Sequence, residues 1–256
     1  MFGSLSYAAV SIGLAMTASI LAAGKAEAAC RKVMHLTQSY AVCSFDPAAS
    51  DIRIVHSGRD GQPYGGFEPL LRDLRQEGEY LEFAMNGGMY ERDLSSVGLL
   101  VTDGIERKAL DRGHSWGNFY LKPNGVFFLE KGRAGVLETE AYVDAAMKPD
   151  FATQSGPMLV IDGQLHPAFL PQSDSLQIRN GAGVDQNGMA IFAMSLQPVR
   201  FHDFATLFRD GLGCTNALFL DGSISSLFSP ALDRYDNIHP MGPIIAVTRK
   251  MPGLQK

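Results

Sequence analysis

Two turns of similar build are the places where this chain could do chemistry. In Leu81-Glu82-Phe83-Ala84-Met85-Asn86-Gly87-Gly88-Met89-Tyr90 an apolar run stops at an amide side chain. The two glycines that follow permit a sharp bend in which backbone N–H groups approach a ligand closely. In Asn216-Ala217-Leu218-Phe219-Leu220-Asp221-Gly222-Ser223-Ile224-Ser225-Ser226 a second apolar run delivers a carboxylate and a hydroxyl cluster at its tip. A third segment, Gln177-Ile178-Arg179-Asn180-Gly181-Ala182-Gly183, sets an arginine just before a strand, where its planar fork can hold a phosphate. Each has an ordinary alternative: a plain turn for the glycine loops, a surface salt bridge for Arg179.

Other chemistries lack their residues. The sequence has no His-Glu-x-x-His, no Cys-x-x-Cys pair, no Walker loop, no Gly-x-Gly-x-x-Gly after a strand and no Gly-x-Ser-x-Gly elbow. A structural zinc, a nucleotide cofactor and a hydrolase-type serine triad are therefore unsupported, and neither a metal nor another cofactor is expected. The six histidines are dispersed. Twenty-two Lys and Arg against 27 Asp and Glu give a net charge of -5, with no basic excess for nucleic acid. Of the 256 residues, 46% are hydrophobic and 19% charged, enough apolar side chain for a real core.

The elements that must position those turns read as mostly strand. Asp103-Gly104, Asn124-Gly125, Asp162-Gly163 and Asn187-Gly188 each stand between apolar runs and predict four hairpins. Leu81 to Met85, Ala217 to Leu220 and Pro243 to Val247 read as further strands. Phe67, Leu70, Leu71 and Leu74 fall at helical spacing and predict a helix over 66–77. Asp203 is expected to cap a second helix with Phe204, Leu207 and Phe208 on its apolar face, ended by Gly211 and Gly213. With no linker or repeat in the mature chain, the expected fold is one β-rich α+β domain, a mixed, hairpin-rich sheet with a few packing helices.

The first 28 residues are excluded from that fold. Leu5 to Ala23 carry no charge and lead to Ala26-Glu27-Ala28, a pattern that signal peptidase cuts, so residues 1–28 read as a secretory signal and 29–256 as the mature domain. An N-terminal membrane anchor is the alternative reading of the same run, whereas Glu27 argues against a lipid anchor at Cys30. Export to a periplasmic or extracellular compartment would let Cys30 and Cys43 close a disulfide that ties down the mature N-terminus. Cys214, left over, reads as a small buried hydrophobe.

Four motifs in order resemble the phosphodiester glycosidase family: Asn86-Gly87-Gly88; Ser155-Gly156-Pro157-Met158 with the Asp162-Gly163 turn; Arg179 to Asp185; and Leu220 to Ser226. The resemblance spans a core of about residues 80 to 248. Members commonly read Asn-Gly-Gly-Phe-Phe and Asp-Gly-Gly-Gly-Ser-Ser, where this chain has Met89-Tyr90 and Ser223-Ile224.

The resemblance implies an exported hydrolase acting on a small-molecule or envelope-glycan sugar-1-phosphodiester, without nucleic acid and without a stable membrane anchor once the signal is cleaved. It places Asp221, Arg179 and Asn86 as catalytic residues. Arg179 goes to the phosphate, and Asp221 to water activation or cation stabilisation. Gly87, Gly88, Asn180, Ser223, Ser225 and His114 fall around the substrate, and the Arg179–Asp221 pair should converge within about 4 Å if the site is catalytic. A second carboxylate would be sought at Glu91 or Asp93. The rival is a non-catalytic envelope polysaccharide-binding protein in which Trp116, Tyr90 and Tyr120 stack on sugar rings.

Overall fold

The computed structural model describes residues 30–222 and 224–253. The signal reading of residues 1–28 and the assignment of Ser223 lie outside the described residues. Among the described residues no helix is long and apolar enough to cross a membrane.

Three sheets, antiparallel in every pairing, enclose a common core. The expected β-rich α+β domain is found, with its strands in three antiparallel sheets where a mixed sheet was expected, so no parallel crossover is required. The largest sheet has seven strands in the order Arg31–His35, Gln38–Phe45, Ala190–Ser195, Asn180–Asp185, Cys214–Phe219, Met158–Ile161, Gln164–Leu165. The second runs Arg234–Tyr235, Leu227–Ser229, Glu79–Asn86, Ile244–Lys250, Asp51–Val55. The third runs Ile105–Lys108, Leu100–Thr102, Phe151–Ser155, Gly125–Glu130, Arg133–Glu138. Phe45 and Phe192 from the first sheet meet Phe83 from the second and Phe127 from the third, with ring centroids 5.2 to 6.2 Å apart. This buried cluster fixes the three sheets against one another.

The outer faces are covered by helices. Phe67–Gln76 buries Phe67, Leu70 and Leu74 against the second sheet, as the spacing predicts. The helix Phe201–Thr206 packs Phe204 under the first sheet and continues as a wider turn through Leu207–Gly211. Asp203 is not its cap. The helix starts at Phe201 with Arg200 as its N-cap, and the Asp203 carboxylate pairs with Arg200 (3.5 Å) and accepts from Gln38 Nε2 (3.4 Å).

Three of the four expected hairpins form. Asp103-Gly104 and Asp162-Gly163 have positive φ at both residues, the geometry of a two-residue turn matched to strand twist, and Gly188 supplies the left-handed residue of the third. Asn124-Gly125 is not a turn. The 125–130 strand instead turns at Lys131-Gly132 (φ 49° and 71°). Buried Asn124 serves as a bracket, donating to Phe119 O (3.1 Å) and accepting from Thr139 Oγ1 (2.8 Å).

Cys30 and Cys43 are joined in a disulfide, opposite one another at the end of the first hairpin. Cys214 is buried as a free thiol, and burial pushes its pKa up to about 12.

Candidate active site

The ends of strands from all three sheets meet at one point. Asn86 ends its strand in the second sheet, Asn180 begins its strand in the first, Asp221 follows the neighbouring strand of the first, and Ser155 ends its strand in the third. The ends of the Phe83–Met85 and Ala217–Leu220 runs were expected side by side, and they are, although the two strands belong to different sheets. That convergence is what brings Asn86 and Asp221 together.

A closed set of amide hydrogen bonds holds the junction. Asn86 Oδ1 accepts from Asn180 Nδ2 (2.7 Å) and from the Ser226 N–H (2.9 Å), while Asn86 Nδ2 donates to Asp221 O (3.1 Å). Asn180 Oδ1 accepts from the Asp221 N–H (3.0 Å), and Ser155 Oγ donates to Leu220 O (2.8 Å). Both asparagines are buried, at 1% and 0% exposure. Their primary amides therefore grip the backbone on both sides of the Asp221–Ser226 turn and fix where its carboxylate emerges.

The glycines after Asn86 serve close approach. Gly87 donates its N–H to Pro243 O (2.7 Å), and Gly88 donates to Thr153 Oγ1 (3.2 Å). A Cβ on Gly88 would collide with Gln154 O and Thr153 Oγ1, so this residue lets the turn lie against the third sheet. The two N–H groups expected to face substrate are thus used within the protein. Ser225 Oγ likewise donates to the turn's own Gly222 O (3.1 Å).

Asp221 faces Tyr90. Burial, followed by the Asp221 charge, pushes the Tyr90 phenol up to about 12, and its hydroxyl donates to Pro240 O. The phenol thus stays protonated at neutral pH.

Arg179 stands on the other face of the sheet from Asn180. In the register that pairs Gly181 with Phe219 and continues through the Leu220 N–H to Asn180 O bond (3.1 Å), the residue opposite Asp221 is Arg179. Its side chain is 1% exposed, its guanidinium carbon lies 3.5 Å from the Phe201 ring centroid, and Phe219 flanks it at 5.8 Å. Nε donates to Val199 O (2.9 Å) and Nη2 to Ser175 O (3.1 Å). Nη2 also reaches Ser175 Oγ (3.5 Å); none of these partners is the Asp221 carboxylate, so the expected contact between the two side chains is not among those of Arg179. Desolvation lowers its pKa to about 10, which leaves it charged at neutral pH, and no ion pair joins it to a carboxylate among the described residues.

The other sequence candidates are spread out. His114 is exposed, and no hydrogen bond or ion pair joins it to the junction. Trp116 on the same loop is 96% exposed, while Tyr120 donates to Asp111 (2.9 Å). Asp93 caps its own turn through Ser95, which lowers its pKa, and Glu91 is exposed. The sequence assigned no role to Ser155 or Ser226 in holding the Asp221 turn; their one signal was membership of the Ser155–Met158 and Leu220–Ser226 motifs. Among the described residues, no group of three His, Cys, Asp or Glu side chains is placed to hold a metal ion.

Comparison with known proteins matches residues 79–246 to phosphodiester glycosidase. The chain belongs to the phosphodiester glycosidase family. The matched span contains Asn86, Ser155, Arg179, Asn180 and Asp221. The chain is 32% identical over 213 residues to "Uncharacterized protein YigE" of Escherichia coli K12, covering 83% of this chain and 82% of that protein. The fold is shared with the catalytic domain of zebrafish N-acetylglucosamine-1-phosphodiester alpha-N-acetylglucosaminidase, auto-inhibited by its pro-peptide, at a TM-score of 0.57 and 14% identity over 85% of this chain and 81% of that one. A hypothetical protein from Synechocystis is similar at a TM-score of 0.52 and 14% identity, over 86% of this chain and 61% of that one. At such identities the phosphodiester glycosidase likeness in structure speaks for the fold, and the family assignment rests on sequence.

Proposed function

We propose that the protein is an exported hydrolase that cleaves a sugar-1-phosphodiester at the anomeric carbon–oxygen bond, giving free sugar and a phosphomonoester. The observation that carries this reading is the clamped Asp221 turn, with the uncompensated guanidinium of Arg179 opposite it in register. Water adds to the anomeric carbon as the bond to the phosphate oxygen breaks, and the bonding pair leaves with the phosphate. That leaving group is already good, so little acid assistance is required, and positive charge develops at the sugar. A fixed carboxylate at Asp221 suits that charge, or the proton of the attacking water.

Arg179 suits the phosphate. Nε and Nη2 are held by carbonyls, and Nη1 makes no hydrogen bond to a described residue. Burying an unpaired cation costs stability, so a phosphate would supply the countercharge that no described residue gives through an ion pair. In this reading Asn86 and Asn180 are positioning residues, acting through the Asp221 backbone. The Cys30–Cys43 disulfide supports the export part, because such bonds form and persist in oxidising compartments.

The test is to incubate the protein with a panel of sugar-1-phosphodiesters and follow released sugar and phosphomonoester. Equimolar release of the two from at least one member is expected. Absence of turnover across α- and β-linked hexose and N-acetylhexosamine diesters would overturn the reading.

A further inference from the structure

The loop that carries Tyr90 folds back on itself and brings a second arm to a separate cleft. The Glu91 N–H bonds Ser95 O (2.8 Å), the Val97 N–H bonds Met89 O (2.9 Å), and Tyr90 bridges to Ser96, so residues 89–91 and 95–97 lie together as two arms. Ser95 and Ser96 line a cleft of about 400 Å³ between the edge strand Asp51–Val55 and the Leu100–Lys108 hairpin. That volume is within the range of small-molecule sites.

One group in the cleft is unexplained by the protein. Ser96 is 2% exposed and its hydroxyl has no hydrogen-bond partner among the described residues. A buried hydroxyl left this way costs free energy and calls for a ligand or a water to satisfy it. Around it stand polar groups of the right kind. Arg107 Nε donates to Thr102 Oγ1 (2.8 Å), which pins the guanidinium at the cleft, and its terminal nitrogens make no hydrogen bond or ion pair within the described residues. Lys108 adds a second cation, partly balanced by Asp93, and Asp103 is the lining carboxylate. His56 is tied by Nε2 to Leu94 O (2.8 Å) and by Nδ1 to Ser57 Oγ (2.7 Å), which leaves that serine oriented at the rim. Ile54 and Leu100 give the cleft an apolar wall.

We propose that this cleft is a second ligand site, for a phosphomonoester of sugar size. Arg107 holds the phosphate as a fork, Lys108 adds charge, and Ser95, Ser96 and Ser57 meet its oxygens and the sugar hydroxyls. The site is separate from the Asp221 turn, and its existence does not depend on the reaction proposed above. Its ligand class is nevertheless the one that reaction releases, and the ligand would contact the arm paired with Tyr90.

Binding of glucose 6-phosphate, inorganic phosphate and glucose to the protein by titration calorimetry tests the assignment, with no readout of turnover. Saturable binding of glucose 6-phosphate is expected, weakened about tenfold or more by Arg107→Ala and about fivefold by Ser96→Ala, and retained in Asp221→Asn. Glucose should not bind detectably. Ser96→Ala should melt at the same temperature as the parent or higher, because it removes an unsatisfied group without removing a bond. Unaltered binding in both cleft variants, or no saturable binding in the parent, would overturn the proposal. Equal affinity for inorganic phosphate and glucose 6-phosphate would overturn the sugar-sized part.

Discussion

Asn180 and Arg179 are adjacent in the chain and leave the sheet on opposite faces, and those faces treat polar groups in opposite ways. Asn180 enters a set of bonds with Asn86 and the Asp221 and Ser226 N–H groups in which the amide oxygens and the donors facing them find partners. Arg179 enters an aromatic cage where two carbonyls meet part of its hydrogen-bonding demand and, among the described residues, no carboxylate pairs with it. The first arrangement is what stability alone would select. The second costs stability, and the difference separates a residue that positions from one held ready for an anion.

Replacing the cation should break the comparison most sharply. Arg179→Met fills a similar volume without charge, so the variant should melt as high as the parent or higher, while kcat/KM on a cleaved phosphodiester falls about 100-fold or more, chiefly through KM. A large drop in melting temperature would instead show that Arg179 is structural. On the Asn face the sign reverses. Asn86→Ala removes the side-chain acceptor of Asn180 Nδ2 and of the Ser226 N–H and the donor to Asp221 O, and should cost about 2 to 4 kcal/mol in denaturant unfolding. Asn180→Ala should not add to it; a double-mutant coupling of about 1 to 3 kcal/mol is expected, and additive losses would dissolve the clamp as a unit.

The Cys30–Cys43 bridge, remote from both faces, gives the smallest effect on activity. It closes a stretch with a sequence separation of 13, and Cys30→Ser with Cys43→Ser should cost about 3 kcal/mol while leaving kcat within about twofold. A larger activity loss would tie the hairpin to the site.

What the sequence discloses follows from how local each signal is. Turns with Gly at the left-handed position, at 104, 163 and 188, are written in two residues, and the helix at Phe67 is written in its spacing. Leu36-Thr37 makes a turn with φ of 47° and 65° from residues that rarely favour it, because the strands on either side, closed by the disulfide, impose the geometry. Asn124 failed as a turn for the opposite reason: its amide is claimed by Thr139 and Phe119 from elsewhere in the fold. At the site the residues were legible and their duties were not. Asn86, Asn180 and Asp221 are visible as polar ends of apolar strands, but whether an amide meets substrate or a neighbouring loop depends on contacts 41 to 140 positions away in sequence. The solitude of Arg179 is legible only once its aromatic cage is assembled.

The central claim is that the Asp221 carboxylate, presented by that clamp, acts on the sugar in the transition state. The most direct measurement is steady-state kinetics of Asp221→Asn on a phosphodiester that the parent cleaves, with a thermal melt alongside. Asn keeps the size and removes the charge and basicity, so kcat should fall about 100-fold or more with KM nearly unchanged and the fold intact. A folded Asp221→Asn protein turning over at close to the parent rate would contradict the account and move the chemistry to another group.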